Sequence, residues 1–351
     1  MDSIHIQGYK SIKDATIELK PINILIGANG SGKSNFLSFF EFLNNLYDRK
    51  LKEYVALSGG MDRMLHKGTE ESKSISSSIS FDNSVNEYSF KLDRGDEAFF
   101  FSDERLWYNG NPWEISEYNE EAKVKVTNLY RAKYIRNYLN GFKKYHFHDT
   151  GRTSPFNQTS NIENDTYFLY AKGENLAAFL WSIKRDHLTV YNRIVKVIQS
   201  IAPYFSDFFL EPNANGFINL KWQDKYSSSV YGVTDLSDGT IRFIALAVLF
   251  LQPTLPSSII IDEPELGLHP VAISKLAGLI ESVASKKTQV ILATQSVELV
   301  NLFQPENIIT VDQINGSSNF ARLNRDDLTN WLDAYSLGDL WKQNILGKAQ
   351  P

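Results

Sequence analysis

Two short stretches of this 351-residue chain carry side chains whose types and spacing suit phosphate chemistry. The first is Gly27-Ala-Asn-Gly-Ser-Gly-Lys-Ser34, a G-x-x-x-x-G-K-S pattern that follows the apolar run Ile22, Ile24, Leu25, Ile26. Gly27, Gly30 and Gly32 let the backbone curl until successive N–H groups converge on phosphate oxygens. A helix starting near Lys33 adds the positive end of its dipole. Lys33 is placed to reach the β- and γ-phosphates, and the Ser34 hydroxyl to ligate Mg²⁺. The second stretch is Ser258-Ile-Ile-Ile-Asp-Glu-Pro-Glu265, an apolar strand ending in carboxylates. Asp262, at a buried strand's end, suits the Mg²⁺ that bridges β- and γ-oxygens. Glu263 is expected to point the other way along the pleat, where it can polarise an attacking water.

A third stretch, Leu236-Ser-Asp-Gly-Thr-Ile-Arg242, precedes the acidic strand and opens an apolar helix. A serine and a glycine at a helix N-terminus form a second anion nest. One chain needs only one phosphate loop, so a second reader of γ-phosphate suggests ATP held by another copy. The plainer alternative is an ordinary N-cap. Arg242 has two readings, a phosphate or carboxylate contact across an interface and a helix-surface arginine.

With these stretches in hand, the chain resembles the ATP-binding-cassette heads of the RecF/SMC-like ATPases, above all the stand-alone AAA-type predicted ATPases of that group. Some of those are paired with nuclease-like partners in phage defence. The resemblance rests on residues 27–34, 236–240 and 259–265, on Leu266-Gly-Leu-His-Pro270 and on Ala293-Thr-Gln-Ser296, in that order. It covers both ends of the chain and is weak over residues 55–230. It implies nucleotide contacts from Asn29, Gly30, Ser31, Gly32, Lys33, Ser34 and Asn35. It also implies that Ser237, Asp238 and Gly239, standing where the signature motif stands, reach γ-phosphate across a head-to-tail dimer. Glu263 would be the catalytic base, with Lys33 and Gln295 in the catalytic set and Ser34 and Asp262 as metal ligands. Residues 268–270 would lie at the dimer seam. Two departures stand out. The switch position, usually histidine, is Gln295, whose amide orients water but cannot titrate. No glutamine occurs between residues 8 and 157, so the family's Q-loop ligand has no counterpart.

The implied fold is α/β: an ABC-type head with a RecA-like core sheet, an antiparallel β subdomain and a helical, signature-bearing subdomain, without a long coiled coil. The chain is read as a single head over 1–351. Residues 1–55 hold the first strands, phosphate loop and first helix, and 56–230 a β meander with a helical insertion. Residues 231–320 hold the signature helix, acidic strand and switch strand, and 321–351 the C-terminal aromatic helices. In detail, strands are expected at 4–8 and 14–20, a helix over 33–51, and a turn with a short helix over 57–69. Four strands are expected at 75–81, 87–92, 98–101 and 106–110. A helix over 119–141, a buried strand over 144–149 and a loop over 150–166 follow. Helices fill 173–199, and 208–210 pairs with 217–222 as a hairpin. His146 and His148 alternate in the 144–149 strand; packing or hydrogen bonding, or a role near the nucleotide, suits them better than metal ligation. Trp331 to Trp341 reads as an amphipathic helix pair that packs on the head or docks a partner.

Composition narrows the function. With no cysteine, disulfides, Cys-ligated zinc and thiol nucleophiles are excluded. A net charge of −5 gives no global pull toward nucleic acid. No apolar run approaches a membrane span and no signal segment opens the chain, so a cytoplasmic protein is expected. The expectation is therefore an Mg²⁺- and ATP-dependent ATPase that dimerises and signals to an effector encoded nearby, a nuclease or toxin in antiviral defence. A nucleotide-locked scaffold and a DNA-repair ATPase acting on DNA ends are the alternatives. Homodimer or higher homo-oligomer, effector and DNA are the candidate partners, and a membrane is not.

Overall fold

The computed structural model describes residues 1–116 and 118–346. The last five residues of the expected 321–351 segment lie outside the described residues. Two compact units emerge: Met1–Lys143, Ser257–Ile260 and Gln289–Pro351 form the first, and Lys144–Pro256 with Ile261–Thr288 the second.

The first unit opens with β1 (Ser3–Tyr9) and β2 (Ile12–Glu18), paired antiparallel across a tight turn in which Lys10 adopts a φ of 46°. β3 (Ile22–Ile26) is buried at every residue, as a strand covered on both faces must be. It runs into the glycine loop and α1 (Lys33–Tyr47). The spacing predicts this helix to residue 51; it stops earlier because Arg49 turns left-handed at φ 59°, and α2 (Leu51–Leu57) and α3 (Met61–Met64) follow.

β4 (Ser74–Phe81), β5 (Asn86–Arg94), β6 (Phe99–Tyr108) and β7 (Asn111–Ser116) make the expected meander, with one correction. The two strands expected at 98–101 and 106–110 are one strand, β6. The polar run between them, Ser102-Asp-Glu-Arg105, is absorbed by a register shift opposite Lys91 and Leu92 and by the burial of Glu104. The N-terminal hairpin joins this sheet, whose order is β2-β1-β4-β5-β6-β7.

Glu104 also explains a second correction. Residues 119–141 are helical only in α4 (Ala132–Leu139). The segment before it is held by the buried carboxylate, which accepts from Tyr88 Oη at 2.8 Å and from the backbone N–H groups of Lys123 (2.9 Å) and Val124 (3.1 Å). β8 is Phe142–Tyr145 and not 144–149.

In the second unit, β9 (Ser160–Asn161) interrupts the expected loop and is followed by α5 (Leu176–Asp186) and α6 (Leu188–Gln199). The hairpin expected over 208–222 is divided. β10 (Phe205–Phe208) pairs with β12 (Lys221–Asp224), which also pairs with β13 (Val230–Gly232), whereas β11 (Phe217–Ile218) pairs with the distant β9. α7 (Asp238–Leu251) is buried almost all round, as a central helix is, and packs against α6 and the next helix, α8. β14 (Ser258–Asp262) starts in the first unit and ends in the second, and α8 (Pro270–Ala284) closes the second.

The chain returns to the first unit with β15 (Gln289–Ala293), α9 (Val297–Val300), β16 (Ile308–Ile314), β17 (Ser317–Arg322), α10 (Arg325–Leu332) and α11 (Leu337–Lys342). The second six-stranded sheet has the order β17-β16-β3-β15-β14-β8, with β3 parallel to β15 and β16. Among the described residues no helix exceeds 15 residues, too short for a coiled-coil arm.

Burial raises the Glu104 carboxyl above the ordinary carboxylate range, against the pull of its hydrogen bonds. Its contribution to stability is therefore fully present below its unfolded pKa and is lost as pH rises through the raised folded value. Glu104→Leu, which strands three donors, should cost roughly 3 kcal/mol in denaturant unfolding. Glu104→Gln should flatten the decline of stability with rising pH across that window.

Candidate nucleotide site

In the first unit the phosphate loop links the end of β3 to α1. Gly32 caps α1 at φ 111°, with no side-chain acceptor for the first N–H groups and no acidic residue in the first turn. The start of this helix is thus left to an external acceptor. Ser31 is buried, and its Oγ has no hydrogen-bond partner. Lys33 is 6% exposed, and its ammonium donates to the carbonyls of Gly27 (2.7 Å) and Ala28 (2.9 Å), curling back over the loop. An uncapped helix start, an orphaned hydroxyl and an ammonium folded over the loop are donors that a polyphosphate would satisfy, so the residues fit ATP. Asn29, Gly30 and Ser34 are exposed.

A chain of side chains braces this loop from behind. Ser318 Oγ lies 2.6 Å from the Ser31 carbonyl and 2.7 Å from Ser11 Oγ, and Asn35 Nδ2 lies 2.8 Å from Ser11 Oγ. A carbonyl can only accept, so Ser318 donates to Ser31, and Asn35 donates to Ser11. Asn35, expected on the nucleotide, therefore has an amide occupied in bracing. A Cβ on Gly32 would lie 1.9 Å from Ser318 Oγ, so only glycine allows this approach. Ser11 and Ser318 escaped sequence reasoning; serines in a turn and a strand give no local signal. Gln295 is exposed just past β15, after the buried Thr294, whose N–H bonds the Leu25 carbonyl at 3.0 Å.

The second unit gathers the acidic turn and the signature-type helix. Asp262 is the last residue of β14. Glu263 lies beyond the strand with φ 42°, so the pleat does not set its direction as expected. A non-glycine residue in that region stores on the order of 1–3 kcal/mol of strain, a cost typical of functional turns. The turn continues through Gly267 to His269, whose Nδ1 accepts from Val271 N–H and caps α8. Ser237 caps α7: its Oγ accepts from Thr240 N at 3.2 Å and sits 2.8 Å from Thr240 Oγ1. Ser237 and Asp238 are nonetheless exposed. A Cβ on Gly239 would meet the Gly267 carbonyl at 2.4 Å, so α7 and the acidic turn touch backbone to backbone.

Arg242 proves to be an internal brace. Its Nη1 donates to the Leu266 carbonyl and its Nη2 to the His148 carbonyl, both at 2.8 Å. His148 Nε2 lies 2.9 Å from the Asp262 carbonyl. His146 and His148 rings are 4.3 Å apart; burial, and then its neighbour His148, lowers the His146 pKa. They are not in a strand, and among the described residues no group of three metal-ligating side chains forms. Mg²⁺ usually takes only one or two protein carboxylates, with substrate phosphates and water completing its shell.

The fold and these two residue sets define an ATPase of the AAA/SMC-head type. The family described as "AAA domain, putative AbiEii toxin, Type IV TA system" matches residues 22–301, and the chain belongs to it. The fold is similar to that in the crystal structure of the SmcHead bound to the C-winged helix domain of ScpA: 18% identity, TM-score 0.62, 94% of this chain and 99% of that one. It is also similar to the Smc head domain with an extended coiled coil bound to the C-terminal domain of ScpA derived from Pyrococcus furiosus: 16% identity, TM-score 0.59, 95% and 98%. At such identities the likeness speaks to the fold, which is the RecF/SMC-like ABC-class head expected from the sequence. Urease accessory protein 2 of Cryptococcus neoformans var. grubii is 39% identical over 89 residues, 23% of this chain; the chain spans 7% of that protein's length. Among the described residues no helix is long and apolar enough to cross a membrane.

Gly239→Ala should destabilise the protein by roughly 1–3 kcal/mol in thermal or denaturant unfolding, because a backbone carbonyl must move. Gly278→Ala, in α8 with open space around its Cβ, should instead stabilise by about 0.5–1 kcal/mol.

Proposed function

We propose that this chain binds ATP with Mg²⁺, hydrolyses the γ-phosphate and dimerises head-to-tail around the nucleotide, passing the resulting change of shape to an effector protein. The observation that carries this reading is the phosphate loop itself: a helix start without a cap, the orphaned Ser31 hydroxyl and Lys33 parked on two carbonyls. Asn29, Gly30, Ser31, Gly32, Lys33 and Ser34 contact the phosphates, with Asn35 holding the loop's shape. Ser34 and Asp262 are the protein's ligands for Mg²⁺, which when bound neutralises charge developing on the phosphoryl oxygens. Lys33 leaves the loop carbonyls for phosphate oxygens. Glu263 takes the proton of the attacking water, and Gln295 orients that water through its amide. A neutral amide cannot shuttle a proton, so turnover is slow.

The dimer is supported by the exposure of Ser237 and Asp238 at the start of α7. If Thr240 Oγ1 donates to Ser237 Oγ, the serine accepts twice and its own proton stays available to a γ-phosphate oxygen of a second copy. Exposed Trp331 and Tyr335 near the C-terminal helices offer aromatic anchors for a partner. The two similar Smc heads are bound to ScpA domains, which supports a protein partner in kind. The family's description, which names a putative toxin and a type IV toxin–antitoxin system, supports a toxin–antitoxin setting; a cytoplasmic defence role with a nuclease or toxin effector is our reading of it. The same Gln295 favours one second reading: ATP binding locks an assembly, and hydrolysis is incidental.

ATP turnover by the purified protein, followed with particle mass against concentration, tests this. Lys33→Ala should abolish nucleotide binding. Glu263→Gln should lower kcat by about 100-fold or more and accumulate ATP-bound dimers. Ser237→Arg should bind ATP but neither dimerise nor turn over. Specific activity independent of concentration and of Ser237 would refute the shared site, and equal retention of ATP by wild type and Glu263→Gln would favour the scaffold.

A further inference from the structure

We infer that His148, outside the stretches that carry the chemistry, is a positioning residue for both acids of the site: it fixes the peptide plane between Asp262 and Glu263 and ties that plane, through Arg242, to α7. The inference rests on the reading that these two acids serve ATP hydrolysis.

The argument begins with the Asp262 carbonyl. It accepts from His148 Nε2 at 2.9 Å, so the Nε2 position must carry the proton. This carbonyl belongs to the peptide that joins Asp262 to Glu263. That peptide is planar, so fixing its oxygen fixes the tilt of the whole unit. The tilt, with the left-handed φ of 42° at Glu263, sets where both side chains leave the backbone. β14 ends at Asp262, and Glu263 lies outside it. A strained turn of this kind persists only where its surroundings over-determine it.

His148 is in turn held by its own carbonyl, which accepts from Arg242 Nη2 at 2.8 Å. Nη1 of the same guanidinium holds the Leu266 carbonyl at 2.8 Å, three residues beyond Glu263. The planar fork thus grips the acidic turn directly and through His148. Lysine, with one nitrogen, could not span both carbonyls in this way. Arg242 lies one helical turn along α7 from Gly239, which itself touches Gly267. A displacement of Ser237 on engaging a second copy is therefore delivered to the peptide between metal ligand and base.

The test compares His148→Ala, His148→Gln and Arg242→Lys with wild type. Binding of a fluorescent ATP analogue is titrated with Mg²⁺ and repeated in EDTA, alongside kcat, KM and thermal unfolding. His148→Ala and Arg242→Lys should raise the Mg²⁺ concentration for half-saturation about tenfold and lower kcat about tenfold, with EDTA binding within about twofold of wild type. The double variant should be no worse than the poorer single one. His148→Gln, whose amide can donate to the same carbonyl, should restore most of both. Half-saturation by Mg²⁺ unchanged in His148→Ala would overturn the inference, as would a parallel loss of thermal stability and EDTA binding that glutamine does not rescue. If His148→Ala does not fold, Arg242→Lys against His148→Gln carries the same comparison. Wild type that binds no nucleotide, or Asp262→Asn with unaltered Mg²⁺ dependence, would instead sink the underlying ATPase reading.

Discussion

Helix α1 carries phenylalanines to both sheets of the first unit. Phe36 packs on Phe320 of β17 and Phe40 on Phe142 of β8, with ring centroids 5.4 Å apart in each case. Phe39 meets Tyr9 of β1 edge-on at 4.9 Å, and Phe42 reaches Phe90 of β5 at 6.3 Å. One helix is thereby wedged between a parallel-cored sheet and an antiparallel one. Each fully buried phenylalanine contributes about 2 kcal/mol, and the edge-on pairs somewhat more. The phosphate loop needs this wedge. A cradle of backbone N–H groups binds only if the helix behind it cannot rotate, and rings held on two faces forbid that rotation. The serine brace from Ser11 and Ser318 then fixes the loop's carbonyl side.

The candidate site contains features that the fold leaves unsatisfied or strained. α7, α8 and α9 each begin with a side-chain cap, from Ser237, His269 and Ser296. α1 begins with Gly32 and none, a lack it shares with α2 to α6. Within the loop Ser31 keeps a buried hydroxyl unpaired, and in the acidic turn Glu263 holds a left-handed backbone. Such features cost stability, and a fold keeps them where a ligand or a reaction returns the difference. Glu104 is the opposite case: a buried carboxylate satisfied by a tyrosine and two backbone donors, with a purely structural task.

Sequence reasoning succeeded where local pattern and final structure agree. The glycine spacing of the phosphate loop, the apolar β14 with its acidic end and the amphipathic start of α1 are local signals, and all three stand where expected. Several of the errors share one cause, a long-range contact that overrides local pattern. β6 looked broken because Glu104 is polar, yet its partners lie on β5 and in a turn some 20 residues later. The same contact holds part of 119–141 as turns. Ile218 was assigned to a hairpin with 208–210 but pairs with Ser160, which no neighbouring residue announces. Local pattern shows only that His148 alternates with His146; its attachment to the Asp262 carbonyl depends on a residue 114 positions away.

The contact of Gly239 with Gly267 makes the start of α7 and the acidic turn move as one piece. With a Cβ position 2.4 Å from a carbonyl oxygen, there is no side chain between the two backbones to compress or swing aside. Tightly packed elements of this kind shift between discrete arrangements instead of deforming gradually. Arg242 adds two directed hydrogen bonds across the same junction, so separation would strand a guanidinium and two carbonyls together. A pull on the start of α7 therefore has no soft element in which to dissipate before it reaches the acidic turn.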